Sequence, residues 1–120
     1  MDLRSIAKHA TTQSQLMVDK DAYKQKDLIA EHPDGVTITA FDYIRNKKGE
    51  RYPIFTIAEE PDKFVNGGTV INSIFSEFVE YYKGDVEAAS RELAHEGGLK
   101  CKFYWGTNKS GDDTVLVEVL

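Results

Sequence analysis

Phe41, Tyr43 and Arg45 alternate along one stretch of the chain, and Lys100, Lys102 and Tyr104 along another. Lys47, Lys48 and Arg51 follow the first stretch, and Lys109 follows the second. Rings presented on a strand stack on bases, each worth about 1–3 kcal/mol, while cations track phosphates. Together these residue types point to the binding of single-stranded nucleic acid. The rival reading is structural: outward rings on strands are also covered by an arm or a partner subunit, and a lysine run in a hairpin turn also serves solubility.

Other chemistries find less support. His9, His32 and His95 have no metal-ligand spacing, and one cysteine without CxxC or HExxH gives no structural zinc motif. Cys101 alternates with apolar residues and reads as a small buried hydrophobe, since no nearby base is identifiable to activate it. Asn66-Gly67-Gly68-Thr69 precedes a helical pattern, as a phosphate cradle would, but matches neither GxxxxGK[ST] nor GxGxxG. It reads as a tight strand-to-helix turn needing positive backbone dihedrals. Asp42, Glu59 and Asp62, with Lys63, form at most a loose version of a nuclease's acidic cluster. No catalytic residue, metal or cofactor is therefore expected.

At 120 residues with 41% hydrophobic content, the chain is expected to form a single domain with one core, 1–120, of which 1–18 is a flexible N-terminal arm. The lone cysteine and the lack of an apolar leader suggest a cytoplasmic protein, and no apolar run approaches the roughly 20 residues of a membrane span. A net charge of −5 argues against a general polyanion binder, because lysine and arginine supply most non-specific affinity for phosphates. The acids are unevenly placed, however. Glu77, Glu80, Asp85, Glu87, Glu92 and Glu96 lie between the two basic stretches, with only Lys83 and Arg91 among them.

The elements that must position these residues follow from periodicity. Asp19 to Glu31 reads as a helix stopped by Pro33-Asp34-Gly35. From Val36 the period is two, with Val36, Ile38, Ala40 and Ile44 on one side and Thr37, Thr39, Phe41, Tyr43 and Arg45 on the other. A bulge near Ala40 to Asp42 would turn the Asp42 carboxylate to solvent. Asn46 to Glu50 is the loop, Arg51 to Ala58 the partner strand, and Pro53 needs an unpaired position. Lys63 to Asn66 adds a short third strand after a turn at Glu59 to Asp62. Thr69 caps a helix carrying Val70, Ile71, Ile74, Phe75, Phe78, Val79 and Tyr82, with Gly84 at its C′ position. Asp85 caps a second helix that ends at Gly97-Gly98. In the last hairpin Leu99, Cys101, Phe103 and Trp105 share the apolar face, opposite Lys100, Lys102 and Tyr104, and Gly106 to Asp113 is a flexible polar turn.

The order strand, cationic loop, strand, short strand, helix, strand, loop, strand resembles an oligonucleotide-binding (OB) fold. The expected class is therefore α+β: a small OB-like barrel of two hairpins plus a short strand, with a helical pair inserted between the third and fourth strands. The phrasing from Thr12-Gln13-Ser14 through HPDGVTITAFD, YPIFTIAEEPDKFVNGGTV and GGLKCKFYWGTNKSG is similar to small early phage proteins, among them the lactococcal phage single-stranded DNA-binding proteins. That resemblance implies a non-catalytic, self-associating binder of single-stranded DNA in phage DNA replication or recombination, working beside replication or recombination proteins in the host cytoplasm. Its contacts would be Phe41, Tyr43, Arg45, Lys47, Lys48, Lys100, Lys102 and Tyr104; the charge pattern adds Arg51 and Lys109. The alternative is a phage-encoded interaction or inhibitor module that uses the acidic helical surface.

Overall fold

The computed structural model describes residues 15–120. A short 3-10 turn, Gln15–Met17, leads into β1 (Asp21–Tyr23), α1 (Gln25–Glu31), β2 (Val36–Arg45), β3 (Arg51–Ile57), β4 (Glu60–Asn66), α2 (Thr69–Tyr81), α3 (Val86–His95), β5 (Leu99–Thr107) and β6 (Asp113–Val119). The fold is α+β, with one six-stranded sheet in the order β1-β4-β3-β2-β5-β6 that curls into a half-barrel. Only β1 and β4 run parallel; the other pairs are antiparallel.

The three helices contribute to one core. Leu28 of α1, Ile71 and Phe75 of α2, and Ala89 and Leu93 of α3 join Val36, Ile38, Phe41, Phe55, Ile57, Val65, Cys101 and Phe103 in a single buried cluster. Helices therefore cover one side of the sheet. A smaller cluster of Ile44, Ile54 and Phe64 lies apart, with Leu16, Met17 and Tyr52 packed on it. The arm expected over 1–18 thus includes a built turn at its end; residues 1–14 lie outside the described residues.

The Asp19 to Glu31 helix is shorter than expected, because Asp21–Tyr23 pairs with Lys63 to Val65 instead. A helix of that length is marginal on its own, and pairing as a strand buries Tyr23 to 6% exposure while its hydroxyl donates to Glu31 Oε1 at 2.9 Å. β4 is longer than expected and starts at Glu60, so the turn before it is tighter. Pro53 keeps its predicted role near the strand start. Its carbonyl accepts from Gly67 N, beyond the last β4 pair at Asn66, so the amide it lacks faces no neighbour.

The bulge falls earlier than the sequence suggests, between Ile38 and Ala40. One extra residue inverts every later side chain of a period-two strand. Val36 and Ile38 face the helices before it, and Phe41 and Tyr43 do so after it, while Ile44 passes to the other side. Ser90 of α3 caps this defect by accepting the Phe41 amide at 3.0 Å.

The helix ends also rest on local chemistry. Asp85 caps α3 by accepting from Ala88 N at 3.0 Å, and Gly97 and Gly98 close it, with Gly98 N donating to Leu93 O. The cap of α2 is Gly68 rather than Thr69. At its other end Lys83, at φ 58°, holds the C′ position that the sequence suggested for Gly84. Gly84 follows as C″ and donates to Val79 O at 2.8 Å, which completes the same type of terminus.

Candidate nucleic-acid interface

The two cationic hairpins close with the same loop. Asn46 Oδ1 accepts from Lys48 N and Glu50 N, each at 2.9 Å, and Asn108 Oδ1 accepts from Ser110 N at 2.9 Å and Asp112 N at 3.0 Å. Gly49 at φ 81° and Gly111 at φ 85° take matching left-handed positions. The segments are Asn-Lys-Lys-Gly-Glu and Asn-Lys-Ser-Gly-Asp, so the likeness was visible in the sequence as Asn-Lys-x-Gly-acid. The second turn, expected over Gly106 to Asp113, is thus closed by the same hydrogen bonds as the first. Each loop holds an exposed lysine, Lys47 or Lys109, directly after its asparagine.

The strand residues divide between the two sides of the sheet. Cys101 and Phe103 are buried under the helices, so Lys100, Lys102 and Tyr104 project from the helix-free side. Tyr104 is 38% exposed there. Across the ladders Lys100 faces Thr37, Lys102 faces Glu118 and Tyr104 faces Leu116.

Tyr43, Arg45 and Arg51 belong to the other side. The Arg51 guanidinium sits 3.9 Å over the Tyr43 ring, and Arg45 donates to Gly49 O at 2.8 Å. Tyr43 and Arg51 line a shallow cleft of about 340 Å³ with Asn72, Ser76, Val79 and Glu80 of α2. Phe41 must be corrected as a contact residue. At 2% exposure it stacks on Phe75, centroids 4.3 Å apart and planes 7° from parallel, so its face is given to the core rather than to a base.

Trp105 departs from the expected burial in the opposite sense. It is 52% exposed, because β5 pairs with β2 only from Leu99 to Cys101 and then runs on beyond that strand's start. Tyr81, at the end of α2, is 81% exposed, and sequence periodicity did not single it out.

The remaining candidates are accounted for locally. Cys101 is fully buried, and burial pushes its thiol up to about 11. Gly67 and Gly68 are not left-handed, contrary to the reading of that turn. Gly67 is required by close approach instead, since a Cβ there would come within 2.6 Å of Ile71 Cγ2. Asp42 is half-buried rather than turned out, and accepts from Tyr43 N at 2.8 Å; Glu59 accepts from Thr37 N at 2.9 Å. Among the described residues no three of His, Cys, Asp and Glu gather where they could hold a metal ion.

Comparison with family models, curated proteins and solved structures finds no match for this chain. Glu77, Glu80, Glu87 and Glu96 are exposed on the helices, on one side of the sheet, while Lys100, Lys102 and Tyr104 stand on the other. The sheet separates the helical acids from this row, although Glu118 lies opposite Lys102 on the same face. On this side the 3-10 turn Gln15–Met17 lies over Ile44, Ile54 and Phe64, and the β5 row beyond it presents cations and a ring away from the helical acids.

Proposed function

We propose that this chain is a non-catalytic single-stranded DNA-binding protein that holds its ligand along the helix-free side of the sheet. The observation that carries this reading is the placement of Lys100, Lys102 and exposed Tyr104 together on that side, with the acidic helices behind the sheet. The twin loops lie at opposite ends of the molecule, whose longest dimension is 46 Å. A strand lying from loop to loop would meet Lys47 and Lys48 first, then the β5 row, then Lys109. That length suits the roughly 4–16 nucleotides that one OB fold occupies.

The topology supports the same reading. From β2 to β6 the chain follows the succession of an OB fold, with a helical pair between the third and fourth of these strands, and β1 on the β4 edge where a closed barrel would pair β4 with β6. The phrasing similar to phage single-stranded DNA-binding proteins supports a role in phage DNA replication or recombination, in the host cytoplasm. Arg45 and Arg51, on the side of the helices, lie outside this path.

The test is a titration with matched single-stranded DNA, duplex and RNA oligonucleotides at two salt concentrations, read by tyrosine and tryptophan fluorescence and by mobility shift. Quenching by oligo-dT with a steep loss of affinity in salt is expected, and the Lys100→Glu, Lys102→Glu double variant should flatten the salt slope. No shift at low salt removes the proposal.

A second reading is favoured by one observation. Tyr81 stands 81% exposed, its ring 5.2 Å from that of Tyr82, on a helix that also carries exposed Glu77 and Glu80. This is a surface suited to a basic protein partner. Charge reversal at Glu77, Glu80, Glu87 and Glu92 would then abolish function, and reversal at Lys47 and Lys48 would not.

A further inference from the structure

The outer edge of β6 is unpaired among the described residues. Leu120 N donates to Lys100 O at 2.9 Å, so Leu120 directs its backbone toward β5. Alternation along the strand makes Glu118, Leu116 and Thr114 do the same, which leaves the amides and carbonyls of Asp113, Val115, Val117 and Val119 facing outward. Among the described residues nothing pairs with them. Asp113–Val119 has no proline, no lysine and no bulge, its register with β5 is unbroken, and its only charges are Asp113 and Glu118. The opposite edge, β1, spans only three residues and offers little to extend.

We propose that two copies join edge to edge through β6, antiparallel, about a two-fold axis at Leu116. In this register Val115 pairs with the second copy's Val117, and Asp113 with its Val119. All the outward groups are then used. Glu118 falls opposite Thr114, so no two acids face each other, whereas centring the pairing on Val115 sets Glu118 against Asp112 and centring it on Val117 sets Asp113 past the last residue of β6, Val119. The partly buried valines and exposed Trp105 fit this seam as well. Trp105 faces Val115 across β5 and β6, and the second copy's Val117 would continue that apolar row.

A two-fold between antiparallel neighbours stands perpendicular to the sheet, so both helix-free sides face the same way. The Lys100, Lys102 and Tyr104 rows of the two copies would run three strand spacings apart, about 14 Å. Self-association does not rest on DNA binding, and the two are tested separately.

Sedimentation equilibrium at about 100 µM, where an edge contact of this modest size is populated, should show a dimer. Val117→Pro removes one outward amide and no β5 bond, so it should give a monomer with an unchanged far-UV spectrum. Leu116→Cys should form a disulfide-linked dimer under mild oxidation, since directly opposed residues at a non-hydrogen-bonded position lie about 4.5 Å apart at Cα; Thr114→Cys, opposite Glu118, should not. A monomeric wild type, a dimeric Val117→Pro, or a dimer that Leu116→Cys fails to cross-link would each overturn the proposal. The cross-linking arm holds even if the proline variant does not fold.

Discussion

Val36 pairs with Cys101 across the β2 and β5 ladder, and this register sends the protein's two hairpin loops in opposite directions. Contact between the two strands covers only Val36 to Ile38 against Leu99 to Cys101. β2 then runs on to Arg45 and β5, antiparallel to it, to Thr107. The loops therefore lie at opposite ends of the strands, in a molecule whose longest dimension is 46 Å. The cations do not converge on a pocket; they are spread along a surface.

Tyr104→Ala should weaken oligo-dT binding by about 1–3 kcal/mol, the range for loss of one stacking ring, with little change in stability because the side chain is partly exposed. Tyr43→Ala should do the reverse. Its ring is packed between Phe41, at 6.3 Å, and the Arg51 guanidinium. Paired fluorescence titrations and thermal melts distinguish the two, and equal binding losses would contradict the separation of the two sides.

Phe75→Ala should destabilise the fold by about 3–5 kcal/mol, measured by urea unfolding. Its ring is fully buried, stacked on Phe41 and edge-on to Phe55 at 6.0 Å, so it joins α2 to both β2 and β3. A loss below about 1 kcal/mol would mean that α2 does not dock as described.

Gly98→Ala should cost clearly more than Gly111→Ala. Both positions are left-handed, at φ 94° and 85°, a strain on the order of 1 kcal/mol for alanine. Only at Gly98 would the added Cβ also meet a backbone oxygen, that of Ile38 at 2.6 Å; at Gly111 it meets open space. Melting temperatures of the two variants provide the comparison.

Stability should be level near neutrality and fall from about pH 9 upward. Burial pushes the Cys101 thiol up from 9.0 to about 11, and burial with the Glu31 hydrogen bond pushes the Tyr23 phenol upward from 10.0. In both cases the folded state holds its proton at a pH where the unfolded chain has lost it. The stability is therefore fully present below the unfolded values and is lost as pH rises through the folded ones. Denaturant midpoints from pH 7 to 11 test this, and Tyr23→Phe should flatten the decline above pH 10. Cys101 should likewise resist thiol reagents at pH 8 unless the protein is unfolded first.

Several features were legible from local chemistry alone. The amphipathic stripe of α2, the Asp85 cap and the Gly97-Gly98 stop of α3, and the placement of the helical pair after the third hairpin strand follow from periods, caps and glycines that act within a few residues. The alternation of Cys101 and Phe103 against Lys100, Lys102 and Tyr104 was readable for the same reason. The matched Asn-Lys-x-Gly-acid loops were also present in the sequence, though it took the structure to give the likeness its meaning.

The side of the sheet to which Phe41 and Tyr43 belong was decided only by tertiary structure. A period-two pattern carries no mark of where an extra residue enters, and moving the bulge to between Ile38 and Ala40 buries the ring that the pattern left outside. β1 was hidden because three residues have no periodicity, and its identity comes from β4, forty residues away. The separation of the loops depends on how β2 meets β5, a contact between segments more than sixty residues apart. The chain therefore determined which residues carry charge and aromatic rings, and long-range strand pairing decided which of them share a surface.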